Sequence, residues 1–165
     1  LVNHQKNYRK CMSEEREIST PAEFLELKRE CIAQVKFYVD LANSKLGLHM
    51  EYPRVEFSLR GTTAGKAWYG KNLIQFSPIL LLENPDTFIR QTAGHEVGHL
   101  MAHARHRGQQ IDPHGREWRN VMWTMGLPAT RCHNYDTSHV PTKTTTIRRV
   151  GGALPFSNGR TTEFD

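Results

Sequence analysis

Apolar residues recur at three- and four-residue steps near the start of the chain, which predicts a long amphipathic helix. The positions on this stripe are Phe24, Leu27, Cys31, Val35, Tyr38 and Ala42. Thr20, Pro21 and Glu23 stand where an N-cap, a first-turn proline and a capping-box acid are expected. Gly47 can take the left-handed conformation that ends many helices. We therefore expect a helix from about residue 21 to residue 46.

Alternating apolar and polar residues follow at 54–60 and predict a half-buried strand, with Val55, Phe57 and Leu59 on its apolar face. Two more short strands are predicted at 66–69 and 73–77. The three residues between them start with Gly70, so these two strands are expected to form a hairpin. A small sheet should therefore follow the first helix.

Asn84, Pro85 and Asp86 have the composition of a helix start, with an N-cap, a first-turn proline and an acid near the positive end of the helix dipole. The residues that follow give one mostly apolar helix face, made of Phe88, Ile89, Thr92, Val97, Leu100 and Met101.

A last helix is predicted to start at Asp112 and Pro113 and to stop near Gly126. Its inward positions are Trp118, Val121, Met122 and Met125. The apolar pattern fails after about residue 136. The chain is therefore expected to consist of an N-terminal extension at 1–20, one domain at 21–136 and a basic, flexible tail at 137–165.

The middle of the third predicted helix carries the segment His95-Glu96-Val97-Gly98-His99. Since 3.6 residues make one turn, imidazoles four positions apart point the same way, and His95 and His99 can hold one zinc ion, Zn²⁺. Glu96 then lies beside the metal and can take a proton from a water that zinc has acidified. This spacing indicates a zinc metallopeptidase with Glu96 as general base.

Two ways of completing the zinc site from the same helix are unfavourable. His103 is one turn beyond His99, but this turn moves it about 6 Å along the helix axis, too far to close a tetrahedron with the first pair. The extended motif with a further glycine and histidine on the helix is excluded, because Ala102 and Arg105 stand at those positions. The third ligand is therefore expected after the helix.

His114 is the favoured third ligand, because the loop before it is long enough to let the last helix fold back over the motif. A catalytic zinc usually takes three protein ligands and leaves a fourth position open for water. Glu117 is the main alternative, with His103 and Asp112 as weaker ones. The residues alone leave this choice open.

The chain has 165 residues, of which 22 are Lys or Arg and 17 are Asp or Glu, giving a net charge of +5 with neutral histidines. This modest excess is compatible with an anionic partner without identifying one. Basic residues are not concentrated in one block.

Cysteine usage favours a reducing, intracellular setting. Cys11, Cys31 and Cys132 are far apart and odd in number, so neither a disulfide framework nor a zinc ribbon is predicted. No apolar run of about 18 residues occurs, and the first residues contain no apolar signal segment. We therefore expect no membrane partner and a cytoplasmic location, with association with the nucleoid as a further option.

Several segments at a joint spacing resemble a known family. They are Arg60-Gly61-Thr62-Thr63-Ala64-Gly65-Lys66-Ala67-Trp68, Pro78-Ile79-Leu80-Leu81-Leu82-Glu83-Asn84, His95-Glu96-Val97-Gly98-His99, His114-Gly115-Arg116-Glu117-Trp118 and Met125-Gly126-Leu127-Pro128. Over about residues 25–136 the chain resembles the SprT-like metallopeptidases, also called the Spartan family. The resemblance implies a zincin-like α+β domain, with His95, His99 and His114 as zinc ligands and Glu96 as general base.

The same resemblance suggests partners for the chain. Eukaryotic members of the family cleave proteins covalently trapped on DNA, so DNA-bound proteins and single-stranded DNA join peptides as candidate partners. The candidates for contacts with substrate or DNA, or for oxyanion stabilisation, are Lys66, Trp68, Tyr69, Arg116 and Arg119. For Trp68, packing within the hairpin is the competing interpretation.

One departure from the family pattern concerns the end of the domain. Typical bacterial members continue into a cysteine-rich zinc ribbon, whereas Cys132 is the only cysteine after the motif here. Two other functions therefore stay open. One is a zinc-containing, nucleic-acid-associated binding protein without protease activity, and the other is a general cytosolic peptidase with no DNA role.

Overall fold

A computed structural model describes residues 15–140 of the chain. Most of the predicted N-terminal extension and most of the predicted tail, residues 1–14 and 141–165, lie outside the described residues. Within the described part of the tail, Val140 is buried in the core with 5% of its surface exposed. The core therefore includes a residue beyond position 136.

The first helix, α1, spans Pro21–Leu46 and has the predicted ends. The backbone N–H of Glu23 donates to the hydroxyl of Thr20 at 3.2 Å, and the carboxylate of Glu23 accepts the N–H of Thr20 at 2.9 Å. Gly47 ends the helix in the left-handed conformation, with φ of 64°. The predicted stripe is buried except for Phe24, which is half-buried. This helix covers one side of the domain core.

Within residues 15–140, the sheet has three strands in the order β1-β3-β2, and these are β1 (Arg54–Glu56), β2 (Gly65–Trp68) and β3 (Leu73–Phe76). The predicted hairpin is confirmed, because β2 and β3 pair antiparallel. The predicted strand at 54–60 is too long. Only three residues of this segment pair with β3, and they do so in parallel. The chain then moves away from β3 and makes one further bond to it, from the Leu59 N–H to the Phe76 carbonyl at 3.1 Å.

A short helix, α2 (Pro78–Glu83), leads into a continuous helical run made of α3 (Pro85–Thr87), a π-helical segment (Phe88–Thr92) and α4 (Ala93–Arg105). The predicted apolar face of this run is buried. The wide π-helical turn was not predicted from the sequence, and it directly precedes the motif. Such turns are frequent at functional sites.

Asn84 occupies the predicted N-cap position of α3, but its side chain makes no cap bond. Its amide instead donates backwards to the Leu80 carbonyl at 3.1 Å. The carboxylate of Glu15 caps α3 instead, accepting the backbone N–H of Asp86 at 2.8 Å and that of Thr87 at 3.1 Å. A carboxylate suits this place because it satisfies free N–H groups and faces the positive end of the helix dipole.

The last helix, α5, spans Arg116–Thr124 and starts three residues later than predicted. The residues before it form a tight turn, in which the Gly115 N–H donates to the Asp112 carbonyl at 3.0 Å. Gly115 then caps α5 in an extended conformation. This turn, in place of a first helical turn, directs His114 toward α4.

Helix α4 lies at the centre of the fold, packed against α1, α5 and strand β2. Two of its glycines make this close packing possible. A Cβ at Gly94 would lie 2.2 Å from Cδ1 of Leu127, and a Cβ at Gly98 would lie 2.7 Å from Sδ of Met122. Helices plus a small sheet confirm the α+β class. Among the helices in residues 15–140, none is both long and apolar enough to cross a membrane.

Candidate metal centre

Three imidazoles converge where α4 meets the turn before α5. The Nε2 atom of His95 lies 3.1 Å from Nε2 of His99 and 3.1 Å from Nε2 of His114. The three ligand nitrogens lie within 4.8 Å of one another. A tetrahedral zinc ion with bonds of about 2.0–2.1 Å would hold its ligand nitrogens about 3.3 Å apart. The three histidines are therefore positioned to bind one metal ion.

The backbone orients two of these rings from behind. His95 hydrogen-bonds to the backbone of Thr130, and His99 hydrogen-bonds to the backbone of Pro113. Since the Nε2 atoms face one another, the remaining ring nitrogen of each histidine is the one left for the backbone. Such partners fix the tautomer of a ligating histidine.

Burial keeps these imidazoles neutral. The pKa of His95 is lowered to about 4, first by burial and second by charge repulsion from the nearby His114. Desolvation, followed by the charge repulsion of the neighbouring histidines, lowers the pKa of His99 to about 3. Desolvation also lowers the pKa of His114. A neutral imidazole is the form that binds a metal ion, so the site is ready to bind one at neutral pH.

Trp118 of α5 forms the floor beneath the three imidazoles. Its ring centroid is 4.8 Å from that of His95, 5.5 Å from that of His99 and 4.8 Å from that of His114, and only 1% of its surface is exposed. Gly98 lets this ring approach, because a Cβ there would lie 3.0 Å from Nε1 of Trp118. The sequence predicted Trp118 only as a core residue. Its place beneath all three rings gives it a second role, because it limits their movement.

Glu96 shares the cavity with the imidazoles but does not belong to their cluster. Only 5% of Glu96 is exposed, and burial raises its pKa to about 8. Strand β2 lies close to the Glu96 side chain: a Cβ at Gly65 would be 2.6 Å from Oε1 of Glu96 and 2.7 Å from its Cγ. The absence of a side chain at Gly65 therefore leaves the space that the Glu96 carboxyl occupies.

Gly65→Ala should displace the Glu96 carboxyl without removing a metal ligand. A misplacement of about 1 Å can cost about 10²-fold in rate, so a reaction that depends on this carboxyl should slow about 10- to 100-fold while metal content is unchanged. Parallel measurements of peptide cleavage and bound metal check this.

The matched control for that variant is Gly70→Ala. A Cβ at Gly70 meets nothing within 4 Å, so this variant should keep full activity. Equal activity of the two variants would show that the space at Gly65 does not matter to Glu96.

The centre opens into a cavity of about 1180 Å³. Lys66 and Tyr69, two of the sequence-predicted contact residues, line it, whereas Trp68, Arg116 and Arg119 do not. Further cations on its wall are Arg60, Arg107 and Arg131. Both arginines of α5 are exposed to solvent. The structure thus brings two of the five predicted contact residues to the cavity.

The alternative third ligands lie outside the three-histidine cluster, which is the only such group in residues 15–140. His103 lies one turn beyond His99 and stacks on Tyr69, with ring centroids 3.7 Å apart. Glu117 lies 3.9 Å from Arg116 in a weak ion pair. Asp112 lines the cavity but is exposed.

His133, which no sequence pattern assigns to the site, also lines the cavity. Its Nδ1 accepts the backbone N–H of Tyr135 at 3.3 Å, and its ring also hydrogen-bonds to the backbone of Thr62. It therefore ties the segment after α5, which includes the His95 partner Thr130, to the loop before Gly65. No local sequence pattern predicts the contact between His133 and Thr62, because the two residues are far apart in the sequence.

Comparison with known proteins identifies the family. The model of the SprT-like family matches residues 33–139, which include the whole metal centre. The chain belongs to the SprT-like family. Protein SprT of Salmonella newport (strain SL254) is 36% identical over 119 residues, which cover 72% of this chain and 71% of that protein. Protein SprT of Salmonella heidelberg (strain SL476) and of Salmonella agona (strain SL483) match equally well. No solved structure matches significantly.

All three histidines of the metal centre lie in the part of the chain that matches the SprT-like family. The matched region starts within α1 and ends beyond His133, so it covers the motif helix, the His114 turn and the strand edge at Gly65. The resemblance inferred from the sequence is confirmed.

Proposed function

We propose that this SprT-like chain is a zinc-dependent metalloprotease that hydrolyses peptide bonds. The observation that carries the proposal is the convergence of three imidazole nitrogens within 4.8 Å of one another, with Glu96 beside them and not among them. Three neutral nitrogen ligands suit zinc, and three protein ligands leave a coordination position open, as catalytic zinc sites do. A structural site would have a fourth protein ligand.

His95, His99 and His114 would hold the ion. Bound there, zinc would supply a Lewis acid for the scissile carbonyl and a lowered pKa for water. Glu96 takes the proton of the attacking water and then passes it to the leaving amine. Burial raises the pKa of Glu96 to about 8, and a cation held by the three histidines would lower it, so the carboxylate can accept a proton at neutral pH.

Removal of the metal should abolish cleavage reversibly. We expect the chelator-treated chain to leave unfolded casein intact, and stoichiometric zinc to restore the original rate. Cleavage fragments are followed by mass spectrometry, and bound zinc by elemental analysis. Full activity of chain that elemental analysis shows to be metal-free would refute the proposal.

We further propose that the physiological substrates are DNA-bound or DNA-crosslinked proteins, and that single-stranded DNA stimulates cleavage inside the cell. Tyr69 supports this, because it is 61% exposed at the cavity mouth. Two lysines lie over the ring of the adjacent Trp68, with Nζ of Lys66 4.4 Å and Nζ of Lys71 5.4 Å from its centroid. Aromatic rings next to basic side chains are typical of proteins that bind single-stranded nucleic acid. The location inside the cell is supported separately by Cys132, which is exposed and unpaired, as suits a reducing compartment.

Tyr69→Ala should weaken single-stranded DNA binding, since each base stacked on an aromatic ring contributes about 1–3 kcal/mol. Affinity is measured over a salt series, because phosphate contacts weaken linearly in log salt. Tyr52→Ala is the control: Tyr52 is half exposed and has Nζ of Lys36 5.4 Å from its ring, but it does not line the cavity. A cleavage rate that ignores added DNA would leave a peptidase without a DNA role.

A further inference from the structure

Three arginines, Arg60, Arg107 and Arg131, contribute positive charge to the wall of the metal cavity. All three are exposed, and within residues 15–140 none of them makes an ion pair. Among the described residues, the carboxyl groups on the same wall belong to Glu96, which is buried, and to Asp112. The cavity therefore presents more positive than negative charge to a molecule that enters it.

Arg131 lies close to the metal centre. Burial, and after it the positive charge of Arg131, lowers the pKa of His114, so the guanidinium is within electrostatic range of that imidazole. The preceding residue, Thr130, hydrogen-bonds to His95 through its backbone, and His133 anchors the same segment two residues after Arg131. The backbone that carries Arg131 is therefore held in place beside the metal ligands.

Arg60 comes to the same part of the cavity on the other side of the His133 contact. The His133 ring hydrogen-bonds to the backbone of Thr62. Arg131 and Arg60 each precede one end of this contact by two residues, and two residues of extended chain span at most about 7 Å. Both side chains line the cavity from backbone positions near one contact. We call Arg60 and Arg131 the arginine pair.

Arg107 lies toward the other end of the cavity, because it follows the end of α4. At that end, His103 stacks on the exposed ring of Tyr69. Eight residues of helix, about 12 Å, separate His103 from His95, the ligand to which the segment of the arginine pair is bonded. The arginine pair is therefore at the metal centre and away from the exposed aromatic ring.

We propose that the arginine pair binds a carboxylate of the substrate polypeptide close to the peptide bond that is cleaved. This inference rests on the proposed protease function and names its substrate class, which is a polypeptide with an acidic group beside that bond. A guanidinium is always charged and matches the two oxygens of a carboxylate. The carboxylate belongs either to an Asp or Glu side chain or to the C-terminus of the substrate.

A phosphate of single-stranded DNA is the competing ligand for the arginine pair. Stacking of bases on aromatic rings accompanies phosphate contacts in single-strand binding. The exposed ring of Tyr69 lies at the other end of the cavity, beside His103, whereas the arginine pair lies where the peptide bond would be cleaved. A carboxylate of the polypeptide therefore suits this place better than a phosphate does.

A peptide series measures the preference of the zinc-loaded chain for acidic groups. A casein peptide that the chain cleaves is synthesised again with Glu, Gln or Lys at one position at a time around the cleaved bond. At one or two positions, kcat/KM should be about two- to tenfold higher for Glu than for Gln, and lowest for Lys. The difference should shrink as salt is added, because exposed charges are screened. Equal rates for all three at every position, and for both forms of the terminus below, overturn the proposal.

A further pair of peptides separates the two sources of the carboxylate. These peptides differ only at the C-terminus, which is a free acid in one and an amide in the other. Faster cleavage of the free acid assigns the arginine pair to the terminal carboxylate. Equal rates for the two, together with a preference for Glu within the peptide, assign it to an acidic side chain.

Arg131→Gln removes one charge of the arginine pair and leaves the metal ligands and Glu96 unaltered. The preference for Glu over Gln should disappear while zinc content is unchanged, and Arg131→Glu should make the Lys peptide the best substrate. Arg105→Gln is the matched control, because Arg105 is also exposed and unpaired within residues 15–140 but does not line the cavity. It should keep the original preference. A preference that survives when Arg60 and Arg131 are both changed to Gln contradicts the proposal.

Binding without turnover distinguishes this proposal from the protease function. The affinities of the Glu and Gln peptides are measured on the zinc-loaded Glu96→Gln chain, with and without Arg131→Gln. Binding that needs both the carboxylate and Arg131, without cleavage by the wild-type chain, sinks the protease function alone. Cleavage without any preference for a carboxylate sinks the present proposal alone. It also fails if Arg131→Gln weakens the binding of oligothymidylate and leaves the peptide preference intact.

Discussion

Glu96→Gln should retain its metal and lose peptide cleavage by a factor of about 10² to 10⁴, the usual contribution of a general base. The amide has the shape of the carboxyl and still fits beside Gly65, where no side chain competes for the space. It cannot take the proton of the attacking water. None of the three clustered nitrogens is altered, so the metal affinity should not change. Initial cleavage rates of casein and elemental analysis of the same sample measure the two effects.

Glu117→Gln is the matched control for this variant. It makes the same chemical change on a carboxylate that pairs weakly with Arg116 and does not line the cavity. We expect full activity and full metal content. The control also tests the rival assignment of Glu117 as a ligand, since loss of metal there would move the third ligand to α5. Undiminished cleavage by Glu96→Gln would end its assignment as the base.

Local patterns predicted the parts of the fold that local contacts determine. The capping box of α1 joins residues three apart, and the β2–β3 hairpin closes over a few residues, so both could be read from the sequence. The two clustered histidines of α4 follow from helix geometry alone. Contacts between distant residues were not predicted: the Glu15 carboxylate that caps α3 is 71 residues away from Asp86, which no window of sequence can show.

The candidate site shows the same difference between local contacts, which could be predicted, and contacts between distant residues, which could not. His114 could be ranked first by loop length, but its position depends on the turn at Asp112 and Gly115 that replaced the predicted start of α5. The space that Gly65 leaves for Glu96 and the tie from His133 to Thr62 depend on which segments meet in the fold. Neither is signalled by periodicity, because a lone glycine or histidine in a loop has many uses.

His114→Ala is the second decisive change, because it removes the ligand whose position depends on tertiary structure. Losing a hydrogen-bonding partner behind a ligand typically costs about 10- to 100-fold in metal affinity, so losing a ligand should cost at least about 100-fold. Peptide cleavage should disappear at zinc concentrations that saturate the unchanged chain. Competition with a chromophoric chelator at constant pH measures the affinity.

His103→Ala makes the result for His114→Ala specific. His103 lines the same cavity and lies one helical turn beyond His99, but it is not in the three-nitrogen cluster. Its removal should leave the metal affinity unchanged, because its ring packs on Tyr69 and not on the metal centre. The opposite ranking, with metal lost from His103→Ala and kept by His114→Ala, would mean that the ion binds along α4 and that the turn before α5 has no part in holding it.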